Sequence, residues 1–332
     1  MSEFAIGGQA LHAPSFFASV SSVKQTLLPV EEIEILDALR AETFLVSAYD
    51  FVHSGSRDST SMARTVEKAR SAGAVVLLDS GNYESYWHRD QSWTRAQFHE
   101  AAIAVPCDAV FTYDEAFQGN APEIVARIVE GANKDRHALA DSQLVPIVHV
   151  SGAEPSEAVD VLTGVALELS PALIAVPERE LGDGITNRAH RIRSLRSAMK
   201  EAGLDTRIHI LGTGNPISLL AYSVAGADSF DGLEWCHTVV DHLTGLLFHL
   251  QQYDFFREQT PYGDGTLPLS LAGRAHNLAF MREWIRILRE ARKLGGLESA
   301  FLSDYVRAKK RSTITGPLTT LLASLSRSPS AL

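Results

Sequence analysis

Short runs of apolar and β-branched residues recur along the chain, each followed by a longer stretch in which apolar residues return at helical spacing. The runs are TFLVSAYD from Thr43, AVVLLDSG from Ala74, AVFTYDE from Ala109, VPIVHVSG from Val145, ALIAVPE from Ala172, RIHILGTG from Arg207 and DSFDG from Asp228. Most lie roughly 25 to 35 residues apart, the length of a strand, a helix and two turns. Runs this uniformly apolar predict strands covered on both faces, as in a parallel sheet. Between them, STSMARTVEKARSAG predicts a helix closed by Gly73, APEIVARIVEGAN one that begins after Pro122, and PISLLAYSVAG one with Pro216 in its first turn. No Gly/Pro/Ser linker interrupts the alternation and no internal repeat is present. The pattern therefore predicts one α/β domain over residues 1–332, a (β/α)8 barrel of the TIM type, with C-terminal helices over 276–312 and a short Ser-rich tail after Ser324.

The predicted strands finish on Asp50, Asp79, Asp114, His149, Glu178, Gly212 and Asp231. In a closed barrel these positions converge on the carboxyl-end face, where active sites sit. One acid at a strand end is ordinarily a helix N-cap. Several at one mouth repel each other and resist desolvation, so they must hold protons or a donor-rich ligand.

Composition narrows the setting. The 332 residues, 45% of them hydrophobic, suffice for a large core. Cys107 and Cys236 are far apart and form no CxxC pair, which predicts a reducing compartment and no cysteine-rich zinc module. The N-terminus lacks a basic segment leading into an apolar run, and no stretch is long and apolar enough to span a bilayer, so a cytoplasmic protein without membrane association is expected. A net charge of -10 offers no global attraction to nucleic acid. The local basic stretches RAHRIRSLRSAMK from Arg188, REWIRILREARK from Arg282 and RAKKRS from Arg307 are expected to be solvated helix faces.

The acids suggest a chemistry. Asp79, Asp114 and Asp231 can divide into a nucleophile, a general acid/base and an acceptor for a donor-rich ligand edge. Tyr83, just beyond Asp79, offers a flat face on which a planar ring can stack. A planar base joined through an N-glycosidic bond suits this set.

Further segments carry a family resemblance: APSFFASVSSVKQ, FLVSAYDFVHSG, LLDSGNYE, FTYDEAF, ILGTGNPISLLAYSVAGADSFD and AHNLAFMREWIRILREA, in that order over most of the chain. Together they resemble the tRNA-guanine transglycosylases, the queuine/archaeosine tRNA-ribosyltransferases of queuosine-type modification. The third is similar to the family's DSGG-(Tyr/Phe)-Q motif, the fourth to its FDE motif and the last to its HN-led helix. The resemblance implies a guanine transglycosylase that exchanges a guanine in tRNA or DNA for a 7-deazaguanine such as 7-cyano-7-deazaguanine, with no cofactor. By position, Asp231 matches the nucleophile and Asp79 the acid/base. Ser80 and Asp114 match groups that hydrogen-bond the base, and Tyr83 and Leu211 the side chains that sandwich it. Gly212 and Gly214 match backbone that approaches it closely.

The departures are also informative. The family's CxCxxC zinc cysteines are missing although His276 remains, so the usual structural zinc is not expected. A substitute set from Cys236, His237, His242, His249 and His276 lacks a recognisable ligand spacing. Where the family has a Gly-Gly-Leu turn this chain has VPERELGDG, its glutamine falls near His149, and its PTR element is replaced by LEWCH from Leu233. Asn82 and Glu84 stand where the family has glycine and glutamine. These changes lean toward a divergent branch of the family, of the kind used for DNA modification. The other readings are a non-catalytic partner subunit or homodimer element, and a nucleosidase-like hydrolase.

Overall fold

The computed structural model describes residues 3–23, 26–150, 155–293 and 315–326. A short hairpin, β1 (Glu3–Ile6) and β2 (Gln9–His12), precedes the strands β3 (Ser15–Ser19), β4 (Thr43–Ser47), β5 (Val75–Asp79), β6 (Ala109–Phe111), β7 (Leu144–Val145), β8 (Leu173–Pro177), β9 (Arg207–Leu211) and β10 (Ser229–Gly232). These eight form one sheet in the order β7-β6-β5-β4-β3-β10-β9-β8, parallel throughout. The edges meet through a parallel bridge between Ile147 and Ala175, with Val148 N–H donating to the Ala175 carbonyl at 2.8 Å. The result is a nearly closed α/β barrel of the TIM type.

The helices around it are α1 (Pro29–Ala38), α2 (Ala48–His53), α3 (Gly55–Ser71), α4 (Asn82–His88), α5 (Arg95–Ala104), α6 (Ala121–Ala138), α7 (Pro155–Leu169), α8 (Gly184–Glu201) and α9 (Pro216–Ala225). After β10 come α10 (Glu234–His237), the hairpin β11 (Thr238–Val240) and β12 (Leu247–His249), α11 (Leu269–Lys293) and α12 (Thr315–Ser326). Local chemistry sets the helix starts. Asn215 caps α9 by accepting from the Ile217 and Ser218 N–H groups, with Pro216 at its first position. Asn120 and Glu123 make a reciprocal capping box at α6, which starts at Ala121 with Pro122 inside its first turn rather than after Pro122.

Period-2 alternation sorts the strand side chains. Phe17, Leu45, Leu77, Phe111, Leu173 and Ala175 pack inside the barrel, whereas Phe44, Val46, Val76, Val110, Ile174 and Ile210 pack under the helices. Phe4, Ile6 and Leu11 of the N-terminal hairpin join the inner cluster and plug the amino-end of the barrel. Gly7 makes that close fit possible. It has φ +57, and a Cβ there would sit 2.6 Å from the Asp108 Cβ. The hairpin leaves the carboxyl-end face uncovered by this cluster.

The basic stretches are not simple solvated faces. Arg196, Arg207 and Arg292 surround the fully buried Asp228, and Arg289 donates to the His12 and Pro14 carbonyls. These arginines staple α8 and α11 to the foot of the barrel because a buried carboxylate must be paired. The fully buried Arg274 of α11 likewise pairs with the fully buried Glu32 of α1. The stretch from Arg307 lies outside the described residues, as does 294–312 of the expected C-terminal extension, whose helix starts at Leu269 rather than His276. Among the described residues no helix is long and apolar enough to cross a membrane.

Candidate active site

The inward side of each strand continues the barrel interior up to the mouth. On β5, Val75 and Leu77 belong to the inner cluster, so Asp79, two residues on, points to the same side and pairs in register with Ser47 of β4. On β9 and β10 the same rule turns His209, Ser229 and Asp231 inward, and on β3 it turns Ser19 inward.

Asp231 is buried and oriented by three donors. Ser19 Oγ donates to Oδ2 at 2.8 Å, Gly212 N–H donates to Oδ1 at 3.0 Å, and His209 Nε2 lies 3.1 Å from Oδ1. His209 is fully buried, its Nδ1 lies 2.8 Å from Ser229 Oγ, and its ring meets Phe17 and Phe111. Gly212 has φ +76, a conformation that lets its N–H turn back to the carboxylate.

Asp79 sits in a different environment. Burial, reinforced by the charges of Glu84, Asp114 and Asp231, drives its carboxyl well above the usual carboxylate range. Gly81 follows in the left-handed region at φ +84, and a Cβ there would lie 2.6 Å from the Tyr49 Cβ. That is why the turn ending the DSG triplet needs glycine. Ser80 is buried, with its carbonyl accepting from Trp93 Nε1 at 3.1 Å.

Glu84 and Asn82 both have structural partners. Asn82 Nδ2 donates to the Asp114 carbonyl and ties the two mouth loops together. Glu84 turns inward from α4 and accepts from Ser21 Oγ and from Ser47 Oγ, the latter at 2.7 Å. Asp50 is equally buried and accepts from Ser22 N–H at 2.9 Å. It lies in the first turn of α2 rather than at the strand end that the sequence suggests. Burial pushes Glu84 and Asp50 each up to about 7, the serine hydrogen bonds only partly offsetting it. Burial, aided by the Asp231 charge, does the same to Glu234, which rises to about 7.

Asp114 lies past the end of β6, and His149 past the end of β7. His149 bridges Asp114 through Nε2 and Glu180 through Nδ1, the second contact 2.7 Å long, and Glu180 also accepts from Val150 N–H. Burial opposes charge on the imidazole, but the hydrogen bonds and charges of the two carboxylates outweigh it and raise His149 to about 10. The group is an imidazolium near neutrality, clamped between two acids.

The remaining strand-end and expected site residues have the following surroundings. Glu178 turns to the helical layer, where Tyr222 donates to it at 2.7 Å and Arg188 pairs with it. Gly214 approaches Glu234, whose Oε2 would be 2.6 Å from a Cβ at that position. Leu211 packs against the barrel interior, and Tyr83 is 38% exposed on α4. Ser19, His209, Glu180 and Glu234 were missed from sequence. Period-2 counting back from Leu211 and Asp231 would have found His209 and Ser229.

His242, His249 and His276 serve the backbone. His276 Nε2 donates to the Val240 carbonyl at 2.7 Å, His242 Nε2 donates to the His276 carbonyl, and His249 accepts from Gln251 N–H. Asn277 accepts from Val240 N–H and donates to the Trp235 and Thr238 carbonyls. The HN pair thus clamps the segment after Asp231 onto α11. Among the described residues no three His, Cys, Asp or Glu side chains converge as metal ligands. No protein-family model matches the chain, and no curated protein matches it.

Proposed function

We propose that this protein is a guanine transglycosylase-like enzyme that exchanges guanine in nucleic acid for a 7-deazaguanine base. The observation that carries the reading is the division of labour among three aspartates at one barrel mouth. Asp231 is oriented by three donors, Asp79 is driven toward its protonated form, and Asp114 is engaged by a charged histidine. Two carboxyl groups in such different environments are what base exchange through a covalent intermediate requires.

In this scheme Asp231 Oδ2, which accepts one hydrogen bond against two at Oδ1, attacks C1′ of the target nucleoside. The bond from C1′ to guanine breaks as the ester bond to Asp231 forms, and Asp79 gives its proton to the departing base. The incoming base then attacks C1′, the ester opens, and Asp79 takes back a proton. Asp114, aligned by His149, accepts from the N–H edge of either base. Because a base must leave its stack to reach a barrel mouth, a single-stranded or loop substrate suits the site. Radiolabelled guanine offered with tRNA or with DNA tests this. Incorporation that requires Asp231 supports it, and absence of exchange into both defeats it. Release of free guanine without incorporation would instead identify a hydrolase.

A further inference from the structure

The segment that carries Asp79 into α4 has an outer face that the chemistry above does not use. Tyr83, Tyr86 and Trp87 are 38%, 75% and 47% exposed on one short helix. Their rings meet edge-on, Tyr83 with Trp87 at 6.3 Å and Tyr86 with Trp87 at 5.5 Å, so the three form one exposed aromatic cluster. Exposed aromatic clusters of this kind are uncommon on surfaces that bind nothing.

The charge around them is selective. The chain carries -10 overall, yet both acids between Tyr83 and Thr94 are engaged by neighbouring side chains. Glu84 is buried on Ser21 and Ser47, and Asp90 is taken up by Ser92, Tyr49 and His53. His88 is held by Ser22 Oγ and stacks on Tyr49, Arg89 next to it in the chain is exposed, and the exposed Arg179 lies near enough for its charge to act on the Tyr83 phenol. The nearest exposed acid in the adjoining loop, Glu115, is paired with Arg95, so exposed aromatic rings flanked by Arg89 and Arg179 complement a single nucleic-acid strand, whose bases stack and whose phosphates seek positive charge.

We propose that this outer face of α4 is a stacking platform for the nucleotides flanking the base held in the barrel mouth. The inference rests on the functional reading above and specifies its partner as single-stranded nucleic acid gripped beside the site. Tyr83 stands at the junction, one turn from Asp79, while Tyr86 and Trp87 extend the platform outward.

The test is fluorescence anisotropy of a labelled twelve-nucleotide single strand, as DNA and as RNA, with the full-length protein. Tyr86→Ala and Trp87→Ala are each expected to weaken binding by about tenfold, the loss of one stacked base. Calorimetric binding of free guanine to the Tyr86→Ala protein is expected to stay within about twofold of wild type. Arg89→Asn, which tolerates the left-handed backbone at this position, is expected to lower the slope of log affinity against log salt by roughly one. Unchanged strand affinity in both aromatic variants overturns the proposal, as does a wild type that binds no single strand. Patch-dependent self-association in sedimentation without strand binding overturns it in favour of a second copy of the chain. If exchange proceeds while the variants bind strands normally, the platform fails and the enzyme stands. If strands bind through the patch without any exchange, the enzyme reading fails and the platform stands.

Discussion

Replacing Glu84 by glutamine removes one ionisable group from beside Asp79 and keeps its size and one acceptor for Ser21 or Ser47. Burial raises this carboxyl from 4.5 to about 7, so across that interval the folded protein holds a proton that the unfolded chain has released. Stability must therefore fall as pH rises. Below 4.5 both states are protonated, and above 7 the fold carries a buried carboxylate. The interval from 4.5 to about 7, at about 1.36 kcal/mol per pH unit, corresponds to roughly 3 kcal/mol. Urea unfolding of wild type and Glu84→Gln at pH 5, 6, 7 and 8, followed by tryptophan fluorescence, measures the difference. The variant is expected to gain about 2 to 3 kcal/mol on the wild type between pH 5 and 8. Parallel stability curves, or a gap that closes with rising pH, would refute the claim that Glu84 is buried and protonated.

Other perturbations probe separate parts of the account. Gly81→Ala forces a Cβ against Tyr49 at positive φ and should cost at least about 2 kcal/mol, read as a lowered thermal midpoint; a midpoint near that of wild type counts against the strained turn. Arg274→Met leaves Glu32 buried without its partner and should lose about 3 to 5 kcal/mol, whereas the double change with Glu32→Leu should recover most of it in the same unfolding assay. His149 holds its proton to about 10 in the fold against 6.5 unperturbed, so its contribution to stability is complete below pH 6.5 and lost as pH rises through 10. The stability difference between wild type and His149→Gln should therefore shrink over that window, and a constant difference would contradict the charged bridge.

Much of the architecture was legible because strands buried on both faces stay apolar until the mouth, as in AVVLL ahead of Asp79 and RIHIL ahead of Gly212. Prolines and glycines marked the helix ends, with Pro216 opening α9 and Gly226 closing it at φ +117. The strand β3 was harder to see because FFAS is short and runs straight into a serine-rich turn. The plug hairpin β1–β2 gave no helical or extended run long enough to notice, and β7 is cut to two residues by Pro146, which has no N–H for the ladder. Site residues failed for a related reason. Asp50 and Glu178 look like strand-end acids, but one enters a helix and the other is taken by Tyr222 and Arg188 from neighbouring helices. Glu84 and Glu180 become site residues only because folding brings Ser21, Ser47 and His149 to them from distant segments.

The central claim is that Asp231 forms a bond to the sugar of a nucleic acid. Intact-protein mass spectrometry after denaturing quench, on protein incubated with a guanine-containing single strand in the absence of any incoming base, tests it most directly. The account predicts a mass increase equal to the strand less guanine, mapped by proteolysis to the peptide containing Asp231, and lost in Asp231→Asn. The sugar in the adduct, ribose or deoxyribose, identifies the acceptor. A protein of unchanged mass with every guanine still in place, or an adduct that survives the Asp231→Asn change, would contradict it.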